Sequence, residues 1–228
     1  MFREILSILR RADLLRQAMV EAQEMLSKAE MMFKTAMYRV MECKEPEMDI
    51  YEKDREINRM EWEVRQKVLE HLIIGNKKQD VTAALILTSA VVDIERIGDY
   101  SKNIFELAGI CPQRIIISED HAGLFKELEA QILGNFDLTR DAYKEGDAQK
   151  AQTVMDIHWQ ISQRCDKMYE RLASEENLSA EHAVIYTLLY RYLKRVSSHL
   201  KNIASSVVNP FPRMGFRSPE EGKDLDVG

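Results

Sequence analysis

Three oxygen-bearing side chains, Glu95, Asp99 and Asn103, follow one another at steps of four residues. This spacing places them on one face of an α-helix, and the same face begins upstream with Leu85 and Val92, as a buried apolar stripe would. Carboxylates four residues apart on a helix repel each other, and the repulsion grows as they become buried. The spacing therefore predicts that positive charge lies close to Glu95 and Asp99.

A second group of oxygen ligands precedes this helix in the chain. If the residues around Gly75 form a turn, the two flanking helices fold antiparallel, and residues equidistant from about position 77 face each other. Asp54, Asn58 and Glu61 then come level with the acidic face. Carboxylate and amide oxygens at this density suit hard or borderline divalent cations. The sequence thus predicts one metal site with six candidate ligands: Glu95, Asp99, Asn103, Asp54, Asn58 and Glu61.

Basic side chains offer another source of positive charge for the same carboxylates. Arg65, Arg96 and Lys102 lie on the same two segments, and mixed charges on an amphipathic helix usually form a solvated, salt-bridged face. Gly98 bears on the choice, because a glycine inside a helix costs about 1 kcal/mol relative to alanine. Its presence indicates close approach by a neighbouring helix or by a ligand, and both interpretations stay open.

The elements that position these residues follow from a scarcity of helix breakers. Nine glycines and five prolines in 228 residues are too few for the turns of a sandwich, a barrel or a doubly wound sheet. The pattern predicts an all-α protein with Asp80, Ser118 and Ser179 as helix N-caps. Apolar periodicity predicts six long helices, at about 2–42, 50–74, 80–108, 118–144, 148–173 and 179–207.

These six helices divide into two similar halves. Shifting the chain by 99 residues places 95–104 on 194–203, and both segments contain Arg, then Lys-Asn-Ile after five intervening residues. We therefore expect two tandem three-helix bundles related by a pseudo-repeat, over residues 1–112 and 113–208. The segment 209–228, where Pro, Gly and charged residues accumulate, is expected to be a flexible tail.

The segment 93–104 resembles the repeated motif of the PhoU-like phosphate-uptake regulators. In that motif an acidic residue, an Asp and an Asn follow one another with three residues between them, as Glu95, Asp99 and Asn103 do. The segment that contains Asp54, Asn58 and Glu61 also resembles the preceding helix of that family. The resemblance covers residues 50–108 well and the second half of the chain weakly.

The resemblance implies a fold, a function and a set of partners. The fold would be two three-helix bundles, and the motif carboxylates would hold a divalent or trivalent metal ion, Fe, Zn, Mn or Mg. The function would be non-enzymatic regulation of phosphate uptake and phosphate signalling. The protein would act at the inner face of the bacterial membrane, by contact with a phosphate transporter, a sensor histidine kinase or both. Relatives of this kind also suggest a homodimer.

The second copy of the motif departs from the family pattern. Lys194, Ser197 and Ser198 stand where the pattern has an acidic residue, Gly and Asp, and only Asn202 keeps its type. Lys194 places a positive charge where a metal ion would be bound. We therefore expect a metal site in the first bundle only, and a partner that differs from the usual one, such as a sodium–phosphate carrier.

Composition excludes several other classes of function. A net charge of −6 argues against nucleic-acid binding, which needs a concentrated basic surface. No apolar stretch is long enough for a membrane span, and the first residues lack a secretory core, so we expect a cytoplasmic protein. Four arginines between Arg3 and Arg16 either touch anionic lipid at the membrane periphery or form an ordinary solvated face.

Enzymatic function has the least support in the sequence. A carboxylate-bridged di-metal enzyme of the ferritin-like type needs Glu-x-x-His pairs, and the chain contains none. It also lacks a Gly-rich phosphate loop and a nucleophile–base grouping. The alternative to a metal-binding regulator is therefore a metal-free helical adaptor, whose acidic face binds a basic partner.

Overall fold

The computed structural model describes residues 2–11, 13–75, 78–110, 115–116, 118–176 and 178–216. Seven α-helices lie in these ranges: α1 (Phe2–Arg11), α2 (Asp13–Glu42), α3 (Ile50–Gly75), α4 (Val81–Leu107), α5 (Glu119–Glu145), α6 (Ala148–Ala173) and α7 (Ala180–Val208). Short 3-10 turns occupy Lys78–Asp80 and Phe211–Arg213. No strand occurs in the described ranges, and the predicted all-α class is confirmed.

Most helix ends lie where local chemistry predicts them. Ser118 accepts a hydrogen bond from the backbone of His121, and Ser179 accepts one from His182, so both serines cap their helices. Gly146 ends α5 in the left-handed conformation, with φ of 68°. Asp80 stands at the N-cap position of α4, as predicted. Its carboxylate makes no cap hydrogen bond and instead lies 2.8 Å from Nε2 of His71 near the end of α3.

The prediction of a single helix over residues 2–42 is wrong, because the chain forms two helices there. The Phe2 ring of α1 packs edge-on against Tyr143 of α5, with ring centroids 5.8 Å apart. Arg10 donates a 2.7 Å hydrogen bond to the carbonyl of Lys144. The apolar residues of α1 are thus buried partly by the second half of the chain, which a straight continuation of α2 would not allow.

Two groups of three helices pack side by side. Helices α2, α3 and α4 contact one another, and so do α5, α6 and α7, while α4 and α7 pack together along the junction. Six residues of the apolar stripe of α2 are buried as its periodicity predicts: Leu15, Met19, Ala22, Leu26, Ala29 and Phe33. The predicted boundary between residues 112 and 113 lies outside the described residues.

Helices α3 and α4 form an antiparallel pair close to the predicted register. Lys102 of α4 lies 2.8 Å from the carboxylate of Asp54 in α3, and Ile57 packs against Gly98. The sequence midpoint of each of these two pairs lies within about one residue of position 77, as predicted. The acidic residues of the two helices therefore reach the same level of the bundle.

The beginning of the expected tail is part of the folded structure, which corrects the prediction for residues 209–216. Buried Asn209 donates from its side chain to the carbonyls of Arg213 and Phe216, at 3.2 and 2.8 Å. The backbone N–H of Gly215 donates to Ser205 Oγ at 2.7 Å. These bonds return the chain onto α7, and residues 217–228 lie outside the described residues.

Candidate functional site

The acidic face of α4 lies at the edge of the bundle, whereas the sequence predicts that it continues a buried stripe. Leu85, at the start of that face, is 41% exposed, and Val92 is only half-buried. The buried side of α4 instead carries residues such as Ile86, Ile94 and Ile97, which pack against α2, α3 and α7. The carboxylates consequently line a half-buried groove between α3 and α4.

Three of the predicted ligands, Glu61, Glu95 and Asp99, come together in this groove. Burial and the negative charges of Asp99 and Glu61 raise the pKa of Glu95 to about 7, although Arg96 opposes the change. A carboxyl with such a pKa binds a proton near neutrality. Negative charge is therefore in excess at Glu95, as the four-residue spacing predicts.

Basic side chains supply the positive charge that the spacing requires. Arg65 lies 3.1 Å from Glu61, and Arg96 lies 3.1 Å from Asp99 and 3.5 Å from Glu95. Lys102 bridges the two helices, 2.8 Å from Asp54 and 3.4 Å from Asp99. The three cations that the sequence offers as an alternative to a metal ion are thus the observed partners of the carboxylates.

The two predicted amide ligands are not joined to the cluster. Asn58 is exposed on α3, and neither Asn58 nor Asn103 forms a hydrogen bond to the carboxylates among the described residues. Within the same residues, no three His, Cys, Asp or Glu side chains are arranged to hold one metal ion. The oxygen donors suit a hard cation in type, but Lys102 and Arg96 would have to move away before a metal ion could bind.

Gly98 is explained by helix packing rather than by a ligand. A Cβ atom at this position would lie 3.3 Å from Cδ1 of Ile57 and 3.7 Å from the sulfur of Met32. Position 98 therefore faces the core between α2 and α3, where a larger residue would push the helices apart. Of the two interpretations of this glycine, the structure supports close approach by neighbouring helices.

A polar cluster joins the two halves and was not predicted from the sequence. Asp93 of α4 accepts a hydrogen bond from the Asn202 amide at 2.9 Å, and its carboxylate lies 2.7 Å from Nδ1 of His199. The His199 ring stacks on Tyr100, with centroids 5.6 Å apart. One feature of the sequence could have indicated this cluster. Asn202 is retained in the second motif, although no acidic residue lies near it in that part of the chain.

The second bundle carries basic groups at the level of its degenerate motif. Lys194 lies 2.6 Å from Asp166 of α6, and His158 Nδ1 lies 3.0 Å from Ser197 Oγ. Lys201 donates to the carbonyl of Gly215 in the C-terminal segment. Lys194 stands where the family motif has a carboxylate, and further basic side chains lie near it in the second bundle.

Comparison with known proteins identifies the family. The model of the PhoU domain matches the chain twice, over residues 15–108 and 125–207. The chain belongs to the PhoU family. The two matches also confirm that the two halves are copies of one unit, and that the PhoU pattern extends through the second copy despite its degenerate motif.

Relatives of this PhoU-family chain are distant in sequence. It is 29% identical over 123 residues to "Phosphate-specific transport system accessory protein PhoU homolog 1" of Thermotoga maritima, a match that spans 51% of each chain. It therefore spans about half the length of that relative. The "Phosphate-specific transport system accessory protein PhoU homolog" of Synechocystis is 24% identical over 169 residues, covering 72% of this chain and 73% of the relative.

Solved PhoU structures share the fold. PhoU from Pseudomonas aeruginosa superimposes with a TM-score of 0.75 at 19% identity, covering 86% of this chain and 96% of that one. The regulatory protein PhoU from Streptococcus pneumoniae gives a TM-score of 0.65 at 18% identity, covering 91% and 95%. In the described part of this PhoU-family chain, none of the helices is both long and apolar enough to span a membrane.

Proposed function

We propose that this PhoU-family protein is a non-enzymatic regulator of phosphate uptake, which acts from the cytoplasmic side by contact with a phosphate transporter. Family membership and the two relatives described as accessory proteins of phosphate transport support this function. The partner in this proposal is the transporter. A sensor histidine kinase is the alternative partner that the experiment below separates from it.

The observation that carries the proposal of protein contact is an exposed apolar stripe on α3. Trp62, Leu69 and Ile73 are 63%, 59% and 70% exposed, and they lie two and three helical turns apart on one face. Isolated exposed apolar residues are ordinary, but several on one helix face, with a tryptophan among them, are typical of a contact surface. In the described part of the chain the main packing of α3 is against α2 and α4, and these three side chains stay exposed to a partner.

Capture from membranes tests this contact. The full chain, with an affinity tag, is expected to capture the phosphate transporter from membranes of cells grown in phosphate-rich and phosphate-poor media. A double variant, Trp62→Ser with Leu69→Ser, should lose the captured protein because it removes the centre of the stripe. Val184→Ser, an equally exposed apolar position on α7, is the matched control. Capture of a kinase without the transporter, or undiminished capture by the double variant, would contradict the proposal.

We further propose that the acidic groove of the first bundle binds a metal ion, with Glu95 and Asp99 as ligands and Asp54, Glu61, Asn58 and Asn103 around them. Burial raises the pKa of Glu95 to about 7 with help from the negative charges of Asp99 and Glu61, and these neighbouring carboxylates support this site. A bound cation would supply positive charge to the groove. A metal ion would compete with Lys102 and Arg96, because these side chains neutralise the same carboxylates.

Metal analysis of protein purified without chelator tests the site. Fe, Zn, Mn or Mg should be retained by the unmodified chain and lost when Glu95→Ala is combined with Asp99→Ala. Lys102→Met should bind the metal more tightly, since it removes the competing cation. Lys194→Ala should retain the metal, because it changes only the second bundle.

A second candidate function is the metal-free adaptor, and the observed ion pairs favour it. Every acidic member of the groove has a basic partner within 3.5 Å, so three basic side chains offset most of the charge of the four carboxylates without a metal ion. Protein that contains no metal, and whose stability does not change when these ions are added, would establish this alternative. Homodimerisation, which relatives suggest, is measured in the same preparations by analytical ultracentrifugation.

A further inference from the structure

The second bundle reverses the charge of the groove that is acidic in the first. Helices α3 and α4 align with α6 and α7 at offsets of 100 and 99 residues. Four acidic positions of the first copy lose their carboxylates: Glu95 becomes Lys194, Asp99 becomes Ser198, Glu61 becomes Ile161 and Asp54 becomes Val154. Lys102 is retained as Lys201. The pseudo-repeat thus keeps the groove and its lysine, but it removes the carboxylates that balance the lysine in the first copy.

The resulting basic cluster lies along the groove between α6 and α7. Lys194, Ser198 and Lys201 follow one another at steps of four and three residues, so they share one face of α7. His158 of α6 is held against this face by its contact with Ser197. All four residues of the cluster, Lys194, Ser198, Lys201 and His158, are half-buried.

Lys201 is the member whose charge is least compensated. Its ammonium donates to the Gly215 carbonyl, and no carboxylate lies within ion-pair distance of it in the described part of the chain. Burial lowers the pKa of Lys201, and the negative charge of the more distant Asp93 offsets only part of this effect. Since an ammonium has three donors, two remain beyond the bond to Gly215.

The surroundings of His158 show the same excess of positive charge. Burial, together with the charges of Lys201 and Lys194, lowers the pKa of His158 to about 4. The ring is therefore neutral at physiological pH and carries one N–H donor. The carboxylate nearest to the cluster is Asp166, which pairs with Lys194 and is about half exposed at the rim of the groove.

We propose that this groove binds a small oxyanion of the class of inorganic phosphate, held between Lys194 and Lys201. The hydroxyl of Ser198 and the imidazole of His158 line the same groove and offer neutral hydrogen-bond donors. Charge-assisted hydrogen bonds to a phosphate are stronger than neutral ones, particularly where burial lowers the local dielectric. This site is independent of the proposed transporter contact and of the metal site, because its residues belong to neither.

Calorimetric titration of the full chain with inorganic phosphate tests the site. Saturable binding is expected, and Lys201→Met and Lys194→Met should each weaken it by about tenfold. Lys126→Met, which removes an exposed lysine of α5, should leave the affinity unchanged. Titration with sulfate distinguishes a site for phosphate from a site for oxyanions in general.

Nuclear magnetic resonance of His158 gives a second measurement. Bound phosphate should raise the pKa of His158, because the anion offsets the charges of the two lysines. Lys201→Met should remain folded, since replacing a poorly compensated buried charge by an apolar side chain is often neutral or stabilising. Absence of saturable binding up to about 10 mM phosphate, or an equal loss in Lys126→Met, would overturn the proposal. Either result would leave the transporter contact intact.

Discussion

The ammonium of Lys102 lies 2.8 Å from the carboxylate of Asp54 and 3.4 Å from that of Asp99, so one side chain joins α3 to α4. Burial opposes the charge of Lys102, but the hydrogen bond and the charge of Asp54 outweigh it, and the pKa of Lys102 is raised. This lysine therefore has two roles in the groove. It holds the antiparallel pair together, and it competes with the proposed metal ion.

Replacement of Lys102 by Met should destabilise the fold by about 1–3 kcal/mol, because it leaves the buried Asp54 carboxylate without its partner. Denaturant unfolding at neutral pH measures the change. Lys34→Met is the matched control, since Lys34 is about half exposed and its partner Glu30 keeps a second cation, Arg140, in the variant. That control should change the free energy of unfolding by less than about 0.5 kcal/mol, and an equal loss in both variants would contradict this role of Lys102.

Replacement of Glu95 by Gln should stabilise the metal-free protein above pH 7. The folded-state pKa of about 7 exceeds the ordinary glutamate pKa of 4.5, so the folded protein binds the proton of Glu95 more tightly than the unfolded chain. The resulting cost is absent below about pH 4.5, grows between the two pKa values and is complete above pH 7. Urea unfolding at pH 4.5 and pH 8 should show a gain on the order of 1–3 kcal/mol at pH 8 only. A gain that is the same at both pH values would rule out this pKa.

Replacement of Thr139 by Val should stabilise the protein by about 1 kcal/mol. The Thr139 hydroxyl and both polar atoms of the Asn135 side chain are buried on α5 without a hydrogen-bond partner in the described chain. Thermal unfolding measures the effect, and Asn135→Leu should act in the same direction. Thr187→Val is the control, since Thr187 is exposed and its hydroxyl bonds to the Ala183 carbonyl. Destabilisation by Thr139→Val would show that the hydroxyl has a partner, such as a buried water molecule.

Truncation after Asn209 should lower the melting temperature, whereas truncation after Phe216 should not. The shorter chain loses the bond from the Gly215 backbone to Ser205, the carbonyl that accepts from Lys201, and the two carbonyls that accept from Asn209. Four such bonds correspond to about 2–6 kcal/mol. Gly215→Ala should act in the same direction, because residue 215 has a φ of 84° and an added Cβ would lie 3.1 Å from Asn202 Oδ1. Equal melting temperatures for the two truncated chains would show that the segment is not docked in solution.

The sequence predicts the features of this fold that depend on neighbouring residues. Helix caps such as Ser118 and Ser179 are local hydrogen bonds between residues three apart, so their position follows from residue type and spacing. The register of α3 against α4 also follows, because a short turn leaves little freedom in the pairing. The acidic cluster of Glu61, Glu95 and Asp99 was predictable from this register. The two halves were predictable because the sequence repeats at an offset of 99 residues.

Only the tertiary structure decides which side of α4 is buried and which partners the carboxylates have. Packing of α7 against α4 depends on residues about one hundred positions away, and it leaves the face that begins at Leu85 at the edge of the bundle. Periodicity defines a face but not its orientation, since orientation depends on the helices packed around it. The pairing of these carboxylates with Lys102, Arg96 and Arg65 likewise depends on side-chain geometry that spacing leaves open.

The sequence by itself thus determined an all-α chain of two related halves, with acidic motif residues in the first copy and Lys194 in place of an acidic residue in the second. The tertiary structure decided that α1 packs against α5, that residues 209–216 return onto α7, and that Asp93 joins the halves through His199 and Asn202. The physical reason is that helix formation and capping are local, whereas burial and charge pairing are set by contacts between residues far apart in the chain.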